Sequence, residues 1–191
     1  AELSGIPTIN ALDDVEHPCQ ILADLLTIKE KLGTWEGKKV VWAGDVDCNV
    51  ARSWMWAAEK LNFDLVLAGP TSFQPPADFL SRFQSGRITC DESLANAAQD
   101  ADVLYTDVWV SMGKEDEAAD RLKILKDYQI NQSIVDLAKP DALVMHCLPA
   151  YRDKEITADV LEAHADTIFQ EAENRLHAQK AILVRLAEAQ S

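Results

Sequence analysis

The chain has 191 residues, 48% of them hydrophobic, and its 18 basic and 32 acidic side chains leave a net charge of −14. That length accommodates one full domain with a sizeable buried core, with room for an appended helix or two. The acidic balance repels polyanions and supplies no basic stripe for a phosphate backbone, so nucleic acid is excluded as an expected partner.

No stretch approaches the roughly 18 consecutive apolar residues that cross a bilayer. Ala1-Glu2-Leu3-Ser4 also lacks the charged and apolar layout of a signal peptide. A soluble, cytoplasmic protein without membrane contact is expected. Cys19, Cys48, Cys90 and Cys147 show neither zinc-site spacing nor a disulfide framework, which fits a reducing compartment and no bound metal. With no initiator Met and an apparent loop at Ser4-Gly5-Ile6-Pro7, the chain reads as a fragment or an isolated domain.

In chain order, the first predicted helix begins at His17, with Pro18 in the first turn, where a missing N–H costs nothing. It carries Ile21, Leu22, Leu25, Leu26 and Leu32 on one side, and Gly33 ends it. Short, nearly continuous apolar runs then predict strands at Lys39 to Ala43, Asp64 to Ala68, Val103 to Thr106, Ala142 to His146 and Thr167 to Phe169, with a weaker one at Arg87 to Cys90. Helical patterns lie between them at Val50 to Leu61, Ala77 to Gln84, Leu94 to Gln99 and Gln132 to Ala138, with Pro75-Pro76 leading into the second. A last helix is expected from about Ala172 to Ala189, with Leu176, Ile182, Leu183 and Leu186 as its apolar stripe. Strands alternating with helices predict an α/β fold: a doubly wound, Rossmann-like parallel sheet covered on both faces, bracketed by the two terminal helices.

Four polar clusters fall where these elements start or stop. His17-Pro18-Cys19-Gln20 opens the first helix, where free N–H groups and the positive end of the helix dipole favour a polarised carbonyl or an anion. Taken alone, the tetrapeptide is better explained by a helix cap at His17 and a solvated Gln20. Gly44-Asp45-Val46-Asp47-Cys48-Asn49 is a strand-to-helix turn, a common ligand position in open parallel sheets. Its lone Gly44 fails the dinucleotide fingerprint, so a dehydrogenase is not expected, and Asn49 is explained as readily by helix capping. Asp107-Val108-Trp109-Val110-Ser111-Met112-Gly113 follows another strand, and the acidic run Lys114 to Asp120 reads as its solvated continuation. A carboxylate and a hydroxyl at Asp107 and Ser111 suit an α-ammonium group, while a carboxylate needs N–H donors. His146-Cys147-Leu148-Pro149 ends a strand whose neighbouring residues point to opposite faces, which argues against a Cys147–His146 nucleophile pair. His146 itself reads as a buried, hydrogen-bonded histidine. On the last helix, Glu171, Arg175 and Gln179 share a face, as a plain surface ion pair would.

Together with Glu173-Asn174-Arg175-Leu176-His177, these clusters resemble the signature of the aspartate/ornithine carbamoyltransferase family, most closely its ornithine-specific branch, from about Ile6 to the last helix. The resemblance implies that His17, Gln20, Cys147, Leu148 and Arg175 bind carbamoyl phosphate, with His17, Gln20, Cys147 and Arg175 catalytic. It assigns ornithine to Asn49, Asp107, Ser111, Met112, Cys147 and Leu148, although Cys48 stands where the family usually has another Asn. No cofactor is implied, and a trimer is expected of the complete enzyme. The implied division is a linking segment and helix over 1–36, an amino-acid-binding domain over 37–170 and a terminal helix over 171–191. The family's Ser-Thr-Arg-Thr phosphate loop is not in these residues, so the amino-terminal carbamoyl-phosphate domain is expected to be missing and the chain inactive alone. A non-catalytic amino-acid-binding or assembly module, or a carbamoyltransferase for putrescine or acetylornithine, is the alternative.

Overall fold

A computed structural model describes residues 2–110 and 115–189. Five strands form one all-parallel sheet: β1 (Lys39–Ala43), β2 (Asp64–Ala68), β3 (Ile88–Asp91), β4 (Val103–Thr106) and β5 (Leu143–His146). Their order across the sheet is β3-β2-β1-β4-β5, so the chain winds outward from β1 to one edge and then returns to its other side. The register pairs Ala43 with both Ala68 and Thr106, and Thr106 with His146. The carboxyl ends of β1, β4 and β5 therefore lie side by side where the strand order reverses, the position at which open sheets bind ligands.

Among the described residues eight α-helices accompany the sheet: α1 (Pro18–Leu32), α2 (Asn49–Lys60), α3 (Ala77–Leu80), α4 (Leu94–Ala98), α5 (Ala118–Leu125), α6 (Gln132–Val135), α7 (Ala158–Ala163) and α8 (Ala165–Glu188). Strand alternation sorts the core into two layers. Val40, Trp42, Leu65, Leu67, Val103, Tyr105 and Met145 pack under α1 and α2, while Val41, Ala43, Ala68, Leu104 and Val144 pack under α4, α5 and α7. Under α2 the Trp42 and Tyr105 rings stack at 5.2 Å between centroids, and Trp54 meets Tyr105 edge-on at 5.4 Å. This is the doubly wound fold expected from the alternation of elements.

Several expected elements differ. Thr167 to Phe169 is helical and lies inside α8, which starts at Ala165, seven residues earlier than expected. A three-residue apolar run cannot be told from a buried helical turn by periodicity, and here Ile168 fills the core while Phe169 faces out. The division expected at residue 171 therefore falls within α8. The helices α3 and α6 are shorter than expected; α6 stops five residues before Pro140, whose ring disfavours helix in the residue preceding it. The acidic run read as loop contains the start of α5, which is held by Arg121 rather than by an apolar stripe.

Candidate active site

The helix α1 begins at Pro18, and the backbone N–H of His17 donates to the Ser53 hydroxyl at 2.7 Å. Ser53 Oγ in turn donates to the Asn49 carbonyl at 2.9 Å, so the amino ends of α1 and α2 are stitched together. Cys48, not Asn49, caps α2: its Sγ accepts the Ala51 N–H at 3.5 Å. Asn49 is the first helical residue, and its side-chain amide donates to the Asp13 carbonyl at 2.8 Å.

Arg175, projecting from α8, meets both residues of the α1 start. Its Nη1 donates to Gln20 Oε1 at 2.6 Å and stands 3.4 Å from His17 Nε2, while its Nε donates to Gln179 Oε1 at 3.0 Å. His17 is held below the ordinary imidazole range by burial and then by the Arg175 charge, so it is neutral at physiological pH. Gln20 is buried and its amide is fully engaged: Nε2 donates to Asp24 Oδ1 at 2.8 Å and to Glu171 Oε1 at 3.2 Å. Glu171 is not the surface partner of Arg175 that its spacing suggested. It is fully buried, accepts the Tyr105 hydroxyl on Oε1 at 3.0 Å and accepts the His146 backbone N–H on Oε2 at 3.0 Å.

That last bond leads to the end of β5. Beyond His146 the strand stops, and side chains of Asp107, His146 and Cys147 bring their donor atoms within 4.8 Å of one another. Alternation therefore does not separate His146 from Cys147, contrary to the expectation, because the residue after the strand no longer follows its pleat. The pair still cannot act as nucleophile and base. His146 Nδ1 accepts the Leu148 N–H at 2.9 Å, which leaves the proton on Nε2, 3.1 Å from Glu155 Oε1. The Cys147 thiol is pushed well above its usual range by burial and the Asp107 charge. With its Nδ1 lone pair on Leu148, His146 has no free nitrogen to offer a metal either. Leu148 adopts a positive φ of 55° and precedes a cis bond to Pro149.

Asp107 sits just past β4 and accepts its neighbour's Val108 N–H at 2.7 Å. Burial raises its carboxyl above the ordinary value, an effect that His146, Cys147 and the Val108 bond oppose. Ser111 and Met112 lie outside the described residues. The segment before them is pinned by Arg121 on α5, whose Nε donates to the Trp109 carbonyl at 2.6 Å and whose Nη2 pairs with buried Asp45 after β1. Sequence reasoning missed this clamp, along with Asp24 and Tyr105. Only an Arg standing among otherwise helical apolar positions marked it.

The expected residues thus fall into one connected set and one neighbour. His17, Gln20 and Arg175 are joined through Glu171 and the His146 backbone to Cys147 and Asp107, whereas Asn49 is tied to the start of α1 through Ser53 and Asp13. Residues 36–186 match the family described as "Aspartate/ornithine carbamoyltransferase, Asp/Orn binding domain", and residues 1–30 match its "carbamoyl-P binding domain". An ornithine carbamoyltransferase of Akkermansia muciniphila is 51% identical over 191 residues, spanning 99% of this chain and 63% of that protein. The ornithine carbamoyltransferase structure from Pyrococcus furiosus superposes with a TM-score of 0.87 at 45% identity over 95% of this chain and 60% of its own. The anabolic enzyme from Campylobacter jejuni gives 0.91 at 35% identity, over 99% and 64%. The chain spans about six-tenths of the length of such relatives. Among the described residues no helix is long and apolar enough to cross a membrane. The chain belongs to the aspartate/ornithine carbamoyltransferase family.

Proposed function

We propose that this chain supplies the amino-acid side of a carbamoyl transfer site, where the δ-amine of L-ornithine attacks the carbonyl carbon of carbamoyl phosphate. A C–N bond forms, the bond to the phosphate oxygen breaks, and the amine proton leaves with phosphate, giving L-citrulline. The observation that carries the reading is the connected set at the sheet's carboxyl rim, in which a donor pair, His17 and Arg175, is tied to an acceptor pair, Asp107 and Cys147.

Arg175 and neutral His17 would hydrogen-bond the carbamoyl oxygen as it gains charge. Donors of this kind contribute about 3–4 kcal/mol each to the transition state. Asp107, with Ser111, would hold the α-ammonium group, and Asn49 with the Met112 N–H would hold the carboxylate once Asn49 releases Asp13. Gln20 would bind the carbamoyl amide by exchanging one of its carboxyl partners. The δ-amine, with an ordinary pKa near ~10.4, is neutral in roughly one molecule in a few thousand at pH 7, a handicap of about 4–5 kcal/mol. Partly buried surroundings at Cys147 and the Leu148 carbonyl would lower that cost by disfavouring the ammonium form.

Phosphate finds little positive charge here beyond Arg175, so turnover requires the rest of a carbamoyl-phosphate domain, and we propose a trimer for the complete enzyme. A citrulline colour assay on this chain, with and without that domain supplied, tests the activity. Asp107→Ala in the complete enzyme should abolish ornithine binding in calorimetry; unchanged affinity would refute the assignment of Asp107.

A further inference from the structure

Asp24 and Glu171 are both fully buried, on different helices, and each accepts from the same Gln20 nitrogen, at 2.8 and 3.2 Å. Asp24 Oδ2 is buried with no hydrogen-bond partner. Two carboxylates gathered on one buried amide nitrogen repel each other, and a proton on one of them removes both that repulsion and an unpaired buried charge. Charge gives the same count. The groups facing the pair are Arg175 from α8, the Tyr105 hydroxyl from β4 and the Cys147 thiol beyond the end of β5, with Asp107 on the far side of Tyr105 and Cys147. One proton leaves a single negative charge opposite Arg175, whereas none would leave two buried charges against one.

We infer that Asp24 and Glu171 hold a single proton between them and act as positioning residues, engaging both sides of the Gln20 amide nitrogen so that its carbonyl oxygen is turned onto Arg175. An amide has one acceptor end and one donor end. Once the donor end is fixed by two carboxyl groups, the acceptor end can only face the guanidinium, 2.6 Å away. The remaining Glu171 bonds, to Tyr105 and to the His146 N–H, carry the same constraint to β4 and β5. Burial pushes both carboxyl groups upward, Asp24 to about 7 and Glu171 well above the usual range.

This inference rests on the carbamoyl-transfer reading only for the use made of Arg175; the proton count is independent of it. Carbon-13 NMR of the side-chain carboxyls should show one of the pair retaining a protonated-acid shift at neutral pH. Asp24→Asn keeps the pair's charge and supplies an N–H donor to Glu171, so it should remove that signal and leave the Arg175 Nε–H resonance in place. Asp24→Ala should shift the Arg175 resonance. Two ionised carboxylates in the unmodified chain would overturn the inference, as would an Arg175 resonance that moves in Asp24→Asn as it does in Asp24→Ala, or in neither. Phosphorus-31 NMR of added carbamoyl phosphate reports separately on the functional reading, because absence of binding would leave the carboxyl spectra intact.

Discussion

Arg175 directs its guanidinium toward the candidate site. Its guanidinium spans Gln20, Gln179 and the edge of His17, a planar fork that an ammonium group cannot reproduce. In the complete enzyme Arg175→Ala should lower kcat by about 100- to 1,000-fold, and Arg175→Lys should recover little of that loss. Steady-state citrulline formation measures both. Asp107 makes a different prediction. Its raised carboxyl means the charge needed for an α-ammonium group is lost as pH falls through a value above the ordinary 3.8. Ornithine affinity should therefore weaken on acidification earlier than for an exposed aspartate, and calorimetry at successive pH values would show the decline. The polar residues at strand ends were legible in the sequence because few residue types occupy such positions without a reason. Glu171 was misread as a surface partner because helix spacing gives the face but not its depth; burial depended on contacts with α1 and β5, which are remote in sequence.

At the level of elements, the crevice depends on how closely β1 and β4 can turn away from each other. Gly44 ends β1 with a φ of +121°, and a Cβ there would lie 3.2 Å from Trp109 Nε1. Any side chain must therefore strain the backbone and push the segment that Arg121 holds. Gly44→Ala should destabilise the chain by about 1–3 kcal/mol, measurable by urea unfolding, and should change the emission of Trp109. The strands of this crevice were read from sequence to within a residue, since parallel strands buried on both faces form short continuous apolar runs. The same rule produced the false strand at Thr167 to Phe169. Two of its three residues, Thr167 and Ile168, are buried on the inner side of a helix, and the flanking Ala165, Gln170 and Glu171 favour helix. Arg121 escaped notice for the opposite reason: a charge usually marks solvent, and its partners Asp45 and Trp109 are supplied by two separate loops.

For the molecule as a whole, α8 is both a brace and an open flank. Its inner side contacts α1 and β5, while Phe169, Leu176 and Leu183, spaced seven residues apart, are each more than half exposed. An aligned apolar stripe of this length favours self-association in water. Sedimentation of the isolated chain should show mass rising with concentration, and a Leu176→Glu, Leu183→Glu double variant should suppress the rise. Tyr105 connects the interior to the rim in another way. Its ring is sandwiched among Trp42 and Trp54, yet its hydroxyl ends on Glu171. The indoles beneath it thus set the height at which that oxygen stands, and a tenth of a nanometre of slack in the hydrophobic interior would reappear as a misdirected proton and a swivelled guanidinium. Volume-changing substitutions at Trp54, made with only thermal endurance in mind, are for that reason substitutions in the alignment of Glu171, Gln20 and Arg175 as well.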